Sequence, residues 1–259
     1  MCLPVLAWEA HPRYRLIVAA NRDEFHDRPA LPLAPWPAPD DILAGRDLRA
    51  GGTWLALDRR RRFGAITNYR DRMPAPPAAP SRGALIPEYL MGAGGAREYL
   101  AGLEPRSPAY GGFNLLLCDD RSLWYASNRC RPFARELAPG VYGLANERLD
   151  DPWPKLRRVR RRFESWLTGQ ATETEELLAM LGDGEPATEA EGAPGGAPRG
   201  EWERIRSSPF VTHPQYGTRC STVLALERAG DLRLIERRFG PAGDRTGESE
   251  YRLTAGQWT

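Results

Sequence analysis

The sequence predicts an α+β fold in which antiparallel sheets are covered by helices within one layered domain. Composition supports this class, because 41% hydrophobic and 27% charged residues over 259 positions are typical of a globular chain that buries a core. The order of elements supports it too: strands come first, then helices, then strands again, without strict strand–helix alternation. Many links between neighbouring strands also have hairpin length. We therefore predict a single domain over residues 1–259.

The N-terminal stretch predicts two strands joined by a hairpin. Residues 2–8 are apolar, residues 14–20 are apolar and β-branched, and the turn between them contains a proline. The second strand is predicted to end where the polar run Asn21-Arg22-Asp23-Glu24 begins. Residues 28–40 are rich in proline and are predicted to form an extended loop.

The middle of the chain predicts strand pairs separated by helices. Residues 53–58 and 63–68 form the first predicted pair, and residues 72–80 form an irregular loop. Ser81 is a candidate N-cap for a helix that runs to about residue 91. The further elements predicted here are a helix over 96–103 and strands over 113–118, 123–127 and 141–145.

The C-terminal part predicts two helices and then two strong strands. The helix over 154–167 carries five arginines between residues 157 and 162, and a solvated basic face is favoured over RNA binding. A second helix over 172–181 has a candidate capping box, Thr172 with Glu175 three residues later. Residues 183–200 are of low complexity. The two strands are predicted over 218–227 and 232–239.

Charge and patterning argue against several classes of function. Lys and Arg number 36 against 34 Asp and Glu, and the net charge of +2 is too small for a dedicated nucleic-acid binder. No apolar run is long enough for a membrane span, and no charged-then-apolar leader opens the chain. The four cysteines include no CxxC pair, so we expect free thiols and no metal site. We expect a cytoplasmic protein.

Cys2 is the first candidate for chemistry. Removal of the initiator Met1 would leave Cys2 with a free α-amine, whose pKa of about 7.7–8 makes it a usable base near pH 7. The amine and the thiol of one residue would then supply base and nucleophile together. The alternative is that a thiol at position 2 has no role, since a Met-Cys start also arises by chance.

Polar side chains at strand ends are the other candidates. Asp23 is predicted to anchor the α-ammonium, and Arg22 to hold a carboxylate or lower the thiol pKa. The equally weighted alternative is a structural network that locks a turn. Asn68 and Asn146 are candidate oxyanion donors, and Arg219 suits an anionic substrate. Each of these three is, taken singly, also typical of a turn residue.

Eight motifs together resemble the NRDE family, which includes the transport and Golgi organisation proteins. The resemblance covers nearly the whole chain in the same order, and residues 72–80 and 183–200 look like local insertions. Besides Met1-Cys2 and Asn21-Arg22-Asp23-Glu24, the motifs are Gly51-Gly52-Thr53-Trp54-Leu55, Thr67-Asn68-Tyr69-Arg70, Ser81-Arg82-Gly83, Phe113-Asn114-Leu115-Leu116, Asp151-Pro152-Trp153-Pro154-Lys155 and Tyr216-Gly217-Thr218-Arg219.

The resemblance implies an αββα sandwich similar to N-terminal nucleophile hydrolases. It implies Cys2 as the nucleophile, with Arg22 and Asp23 beside it. Those enzymes usually have an Arg-x-x-Asp spacing, whereas these two residues are adjacent here. The remaining implied catalytic residues are Asn68, Asn146 and Arg219. The residues predicted to bind substrate are Asn21, Glu24, Trp54 and Arg70.

Two functional hypotheses follow. The first is a hydrolase or acyltransferase that acts on an amide or thioester through Cys2 and needs no cofactor. The second is a non-catalytic carrier of haem or acyl-coenzyme A on the same fold, with Cys2 or a histidine as a haem ligand. The chain has three histidines, His11, His26 and His213. Both hypotheses predict a small-molecule partner and neither predicts a specific nucleic acid.

Overall fold

The computed structural model describes residues 3–37, 41–70, 75–76, 78–169, 173–188 and 200–255. The chain divides into two compact units. The first unit comprises the chain up to Asp27, Pro139–Ala145 and the chain from Leu149 onwards, and the second comprises Arg28–Ala138 and Asn146–Arg148. The prediction of one domain over 1–259 stays a prediction beside this division.

The described residues form thirteen strands and five α-helices. The strands are β1 Leu3–Trp8, β2 Tyr14–Phe25, β3 Ala30–Pro35, β4 Ile42–Asp47, β5 Leu55–Asp58, β6 Phe63–Asn68, β7 Phe113–Cys118, β8 Leu123–Ser127, β9 Ala134–Leu137, β10 Gly140–Gly143, β11 Tyr216–Glu227, β12 Leu232–Phe239 and β13 Arg245–Leu253. The α-helices are α1 Leu85–Met91, α2 Ala96–Leu103, α3 Pro154–Thr168, α4 Thr174–Leu181 and α5 Glu201–Ile205.

The first unit contains a six-stranded antiparallel sheet in the order β10-β1-β2-β11-β12-β13. Side chains alternate between the two faces of each strand, so every second residue points to the same side. Val5, Ile17 and Val223 share one face and pack with Phe163 of α3 and Leu177 of α4 in one buried cluster. We call this side of the sheet the helix face.

The second unit contains a seven-stranded antiparallel sheet in which strands follow each other in chain order from β3 to β9. Ile66 and Leu115 of this sheet pack in one cluster with Ile86 of α1 and Leu100 of α2. Gly64 permits the close approach of α1, because a Cβ there would lie 2.7 Å from Cγ2 of Ile86. Each unit thus pairs one antiparallel sheet with helices, which confirms the predicted α+β class.

Four strands were not predicted from the sequence: β3, β4, β9 and β13. The proline-rich stretch 28–40 was predicted as a loop, but it contains β3, which pairs with β4 at an edge of its sheet. Proline is tolerated there because an edge strand has one side that makes no ladder bonds. The predicted strand over 141–145 is β10, Gly140–Gly143. Strands β9 and β13 are rich in charged residues, so they lack the apolar pattern of a buried strand.

Helix starts were also partly wrong. Ser81 makes no side-chain capping bond, and a short 3-10 turn over Arg82–Ala84 precedes α1. Thr172 lies outside the described residues, and the carboxylate of Glu175 binds Arg237 through two hydrogen bonds of 2.8 and 2.9 Å. Among the predicted helices, 96–103 and 154–167 are confirmed to within one residue.

Helix α3 has the predicted amphipathic character. Leu156, Val159 and Phe163 are buried against the sheet. Two of its arginines, Arg158 and Arg162, form ion pairs with Asp183 at 3.5 and 3.7 Å. The basic face is therefore partly neutralised within the fold.

Candidate functional site

The candidate residues of the first unit lie where β1, β2 and β11 run side by side. Strand β2 continues through the polar run to Phe25, because β11 pairs with it along its whole length. The sequence analysis had ended this strand at Ala20. Leu3 is the cross-strand partner of Asn21, and Arg22 is the partner of Cys220. Cys2, joined to Leu3 by one peptide bond, and Met1 lie outside the described residues.

Strand geometry separates Arg22 from Asp23. Consecutive residues of a strand point to opposite faces, so Asn21 and Asp23 share the helix face with Ile17, and Arg22 points the other way. All three polar residues are buried. The adjacent Arg-Asp pair therefore supplies one charged group to each side of the sheet.

Asn21 is held entirely by the protein. Its side chain is 0% exposed, and Nδ2 donates to the carbonyl oxygens of Leu181 and Pro209, both at 2.9 Å. Its Oδ1 accepts a bond of 2.6 Å from the hydroxyl of Ser221. Both amide protons are thus in use, which favours the structural interpretation of this residue over substrate binding.

Asp23 has a similar holding role. The Thr218 hydroxyl donates to Oδ1 of Asp23 at 2.8 Å and accepts from the backbone N–H of Val211 at 2.9 Å. The backbone N–H of Thr218 in turn donates to the Val211 carbonyl at 2.8 Å. The Asp23 carboxylate therefore fixes the segment before β11 against β2.

The face that carries Arg22 also carries a buried cluster that the sequence analysis missed. Cys220 lies between Arg22 and Arg238 in the register, and the buried Glu236 is two pairs further along and therefore on the same face. Oε1 of Glu236 lies 3.3 Å from Nη1 of Arg238, which also donates to the Ser249 hydroxyl at 2.8 Å. Burial, with Glu236 adding to it, raises the pKa of the Cys220 thiol well above its usual value. Cys220 is therefore a buried packing thiol, free as the sequence analysis expects of the cysteines.

Arg219 occupies a β-bulge. Thr218 pairs with Asp23 and Cys220 pairs with Arg22, so Arg219 is the extra residue between two consecutive partners. Bulges redirect a side chain and are common beside active sites. Its Nη1 donates to the carbonyl oxygens of Phe25 at 2.9 Å and His26 at 3.3 Å. Burial, and then the charge of Arg22, lower the pKa of Arg219.

Glu24 lies between the buried Asp23 and the exposed Phe25, which is the last residue of β2. It is half-buried, and its Oε1 accepts a hydrogen bond of 3.0 Å from the backbone N–H of Phe25. Gly217 is its cross-strand partner. The chain approaches closely here, because a Cβ on Gly217 would lie 2.7 Å from the Val211 carbonyl oxygen.

The second unit brings Asn68, Arg70 and Asn146 together. Asn146 has a positive φ of 70°, and its Nδ2 donates to the Asn68 carbonyl at 3.0 Å. The backbone N–H of Arg70 donates to the Asn146 carbonyl at 2.5 Å. The buried Trp54 lies just before β5, where its carbonyl accepts from the N–H of Ile66 at 2.9 Å. The Asn68 side chain is exposed, so it is the freer of the two predicted oxyanion donors.

Asn114 lies in the same region, and the sequence analysis assigned no role to it. Its Nδ2 donates to the Glu147 carbonyl at 2.7 Å and to the Thr67 hydroxyl at 3.2 Å. Its Oδ1 accepts from the Tyr125 hydroxyl at 2.8 Å. Asn114 thus holds the loop that follows Asn146, as Asn21 holds the end of β2.

The described ranges hold neither a metal-binding cluster nor a membrane-spanning helix. These residues contain no group of three or more His, Cys, Asp or Glu side chains arranged to hold a metal ion. No helix of the same ranges is long and apolar enough to cross a membrane. Each of the three histidines uses one ring nitrogen in a bond to the backbone.

Comparisons with known proteins cover nearly the whole chain. The chain is 33% identical over 283 residues to the transport and Golgi organization protein 2 homolog of Bos taurus, covering 98% of this chain and 99% of that protein. It is 32% identical to the Homo sapiens homolog, with 92% of each chain covered. A solved structure of penicillin V acylase from Agrobacterium tumefaciens is 10% identical with a TM-score of 0.49, over 98% of this chain and 86% of that one.

The family model tests the resemblance that the motifs suggested. The model described as Transport and Golgi organisation 2 matches residues 1–241, which include all the motifs quoted above. The curated relatives support the same assignment at about one-third identity. This chain therefore belongs to the Transport and Golgi organisation 2 family.

Proposed function

We propose that the protein is a cysteine hydrolase or acyltransferase of the N-terminal nucleophile type, acting on an amide or a thioester. Cys2 is the nucleophile after removal of Met1. The observation that carries the proposal is the pairing of Leu3 with Asn21, because it brings the residue bonded to Cys2 to the sheet end where Arg22 is buried.

The proposed reaction has two steps. In the first, the Cys2 thiolate forms a C–S bond to the substrate carbonyl, and the tetrahedral intermediate expels an amine or a thiol that takes a proton from the α-ammonium. In the second, water or an acceptor amine attacks the S-acyl carbonyl, loses a proton to the α-amine and releases the Cys2 thiolate. No oxidant or reductant is needed.

Three residues have supporting roles in this proposal. A buried guanidinium near a thiol stabilises the thiolate, which is the role proposed for Arg22. Asp23 acts as a positioning residue, because its carboxylate binds Thr218 on the helix face. Arg219, displaced by the bulge, is proposed to bind a polar group of the substrate. The oxyanion roles of Asn68 and Asn146 stay predictions from the family resemblance.

The test is the intact mass of the protein before and after exposure to a panel of amides and acyl thioesters. We expect loss of Met1 and an acyl adduct that maps to Cys2. Cys130→Ala is the matched control, because Cys130 is the described thiol that is not buried and could react in place of Cys2. This variant should keep the adduct. Cys2→Ala should abolish the adduct.

A second variant tests the role of the amine. One extra residue placed ahead of Cys2 keeps the thiol and displaces the α-amine, so it should also abolish turnover. Turnover that survives Cys2→Ala would contradict the mechanism. A protein without any adduct that binds haem saturably would favour the carrier hypothesis instead.

A further inference from the structure

Two exposed aromatic side chains lie against one buried ring in the first unit. Phe25 is 49% exposed and Trp202 is 44% exposed, and both contact the ring of Tyr216. We call these three residues the aromatic notch. Large apolar side chains exposed side by side often mark a binding site, whereas scattered ones are ordinary.

The ring geometry leaves surface available in the notch. Phe25 stands at 73° to Tyr216 with centroids 5.2 Å apart, and Trp202 stands at 75° with centroids 6.1 Å apart. Trp202 also contacts the ring of His213 at 4.8 Å. Rings set edge to face make a favourable contact and leave flat faces on which a further ring can stack.

A positive charge lies at the notch. The guanidinium carbon of Arg206 is 5.7 Å from the centroid of the Tyr216 ring. Arg206 is an exposed residue, so its guanidinium is accessible to a solute. A guanidinium beside an aromatic surface suits a ligand that combines a flat ring with a carboxylate or another anion.

The notch is continuous with the candidate site on the same sheet. Phe25 and Tyr216 are cross-strand partners, and two pairs further along lie Asp23 and Thr218. The side chain of Arg219 binds the Phe25 carbonyl oxygen, so the bulge residue touches both regions. Phe25 follows Asp23 by two residues and therefore lies on the helix face, opposite Arg22. A group held in the notch would thus lie at the end of β2, beside Arg219.

We propose that the aromatic notch binds a planar aromatic ring that bears a negative charge, with the anion at Arg206. As a substrate subsite it holds the part remote from the reacting carbonyl, and that role rests on the proposed function. Binding itself does not depend on Cys2. The substrate class is thus an amide or thioester with an anionic aromatic substituent.

Binding is measured by isothermal titration calorimetry in the Cys2→Ala protein, where the proposed acylation is absent. The probe is 2-naphthoate, compared with neutral 2-naphthylmethanol and with aliphatic octanoate. We expect saturable binding of 2-naphthoate that is weakened about tenfold in Phe25→Ala/Trp202→Ala, because stacking surface is lost. Octanoate should bind more weakly than 2-naphthoate.

Arg206→Gln isolates the charge. It should weaken 2-naphthoate about fivefold and leave 2-naphthylmethanol nearly unchanged, since only the anion loses a partner. Leu48→Ala/Met91→Ala is the matched control: both side chains are exposed and apolar, and both lie in the second unit. Binding in this control should equal that of the parent. Circular dichroism of every variant checks the fold, and single Trp202→Ala replaces the double variant if that one does not fold.

Two results would overturn the inference. One is that 2-naphthoate does not bind the Cys2→Ala parent, or binds the notch variants as tightly as it binds that parent. The other is a dimer in sedimentation that disappears in the same variants, which would make the notch a self-association surface. If 2-naphthoate binds as expected but the protein that keeps Cys2 forms no acyl adduct, the proposed function is rejected and the notch remains a binding site.

Discussion

The two units bury arginine in contrasting ways. In the second unit, Nε of Arg62 lies 2.7 Å from Oδ2 of Asp58, and the same guanidinium donates to the carbonyl oxygens of Leu90 and Gly94. Asp58 ends β5, Leu90 lies in the last turn of α1, and Gly94 lies in the short link between α1 and α2. In the first unit, Arg22 lies on a central strand beside Cys220, on a face that also carries Glu236.

The sequence separation of its partners indicates whether a buried arginine has a structural or a functional task. Arg62 and Asp58 are four residues apart and lock a hairpin to a helix end, which is a structural task. Arg22 on β2 is nearly two hundred positions from Cys220 on β11, and Glu236 lies on the neighbouring strand β12. Buried titratable groups assembled from distant segments are typical of functional sites, although structural networks also use them. The contrast therefore favours Arg22 over Arg62 as a functional residue.

Loss of the Arg62 ion pair should have a large effect on the free energy of unfolding. Arg62→Met should lower the free energy of unfolding by about 3 kcal/mol, because it removes the nearer cation of the buried Asp58 carboxylate and leaves the more exposed Arg60 at 3.6 Å. Denaturant unfolding followed by circular dichroism measures this loss. Arg62→Met/Asp58→Asn should recover part of the stability.

The matched control is an arginine with an exposed ion pair. Arg121 has a side chain that is 88% exposed, and Arg121→Met should change the free energy of unfolding by less than about 0.5 kcal/mol. Equal losses in Arg62→Met and Arg121→Met would mean that the Arg62 pair is not a structural lock.

The next effect concerns reactivity. Arg22→Gln should slow Cys2 acylation at pH 7 by about tenfold and move the midpoint of its pH–rate profile upward, because a positive charge that favours the thiolate is removed. The rate is measured with an acyl thioester in a Cys130→Ser background, since the other described thiols, Cys118 and Cys220, are buried.

Arg252→Gln is the control for general charge, because the Arg252 side chain is 69% exposed on the edge strand β13. It should leave the rate and the midpoint unchanged. An unchanged midpoint in Arg22→Gln would assign Arg22 to the structural class represented by Arg62.

The smallest effect is the pH dependence of stability. Burial lowers the pKa of His11 and of His26, with added effects from Arg13 on His11 and from Arg219 on His26. The folded protein thus binds protons less readily at these rings than the unfolded chain, whose histidine pKa is about 6.5. The two rings therefore contribute stability above that pH and lose it as the pH falls below it.

The test compares the parent protein with His11→Gln/His26→Gln at pH 7.5 and 5.5. The double variant should lose less stability between these two values than the parent, as measured by urea unfolding. Losses of the same size in both proteins would show that other groups govern this pH range.

Much of the fold was predictable because local signals agreed. Strands over 63–68, 113–118, 123–127 and 232–239 were predicted with the boundaries that the structure shows, since apolar residues fill at least half of each. The polar strand β13 was missed, because its pairing with β12 and not its own side chains holds it in the sheet.

The candidate site was predictable in its membership and less so in its arrangement. The sequence singled out Asn21, Arg22, Asp23 and Arg219, and the structure places these four on adjoining strands. The assignment of Arg22 and Asp23 to opposite faces required the strand to continue past Ala20. Glu236 carried no sequence signal, because a glutamate in a strand is usually exposed.

The class of fold, most elements and the family could be inferred from the amino-acid sequence, because hydrophobic periodicity and motif order are local properties of the chain. Which polar groups meet depends on the tertiary structure. The bulge at Arg219, the enclosure of Asn21 and the notch around Tyr216 each depend on β11 lying beside β2. Such contacts join residues nearly two hundred positions apart, and no local propensity encodes them.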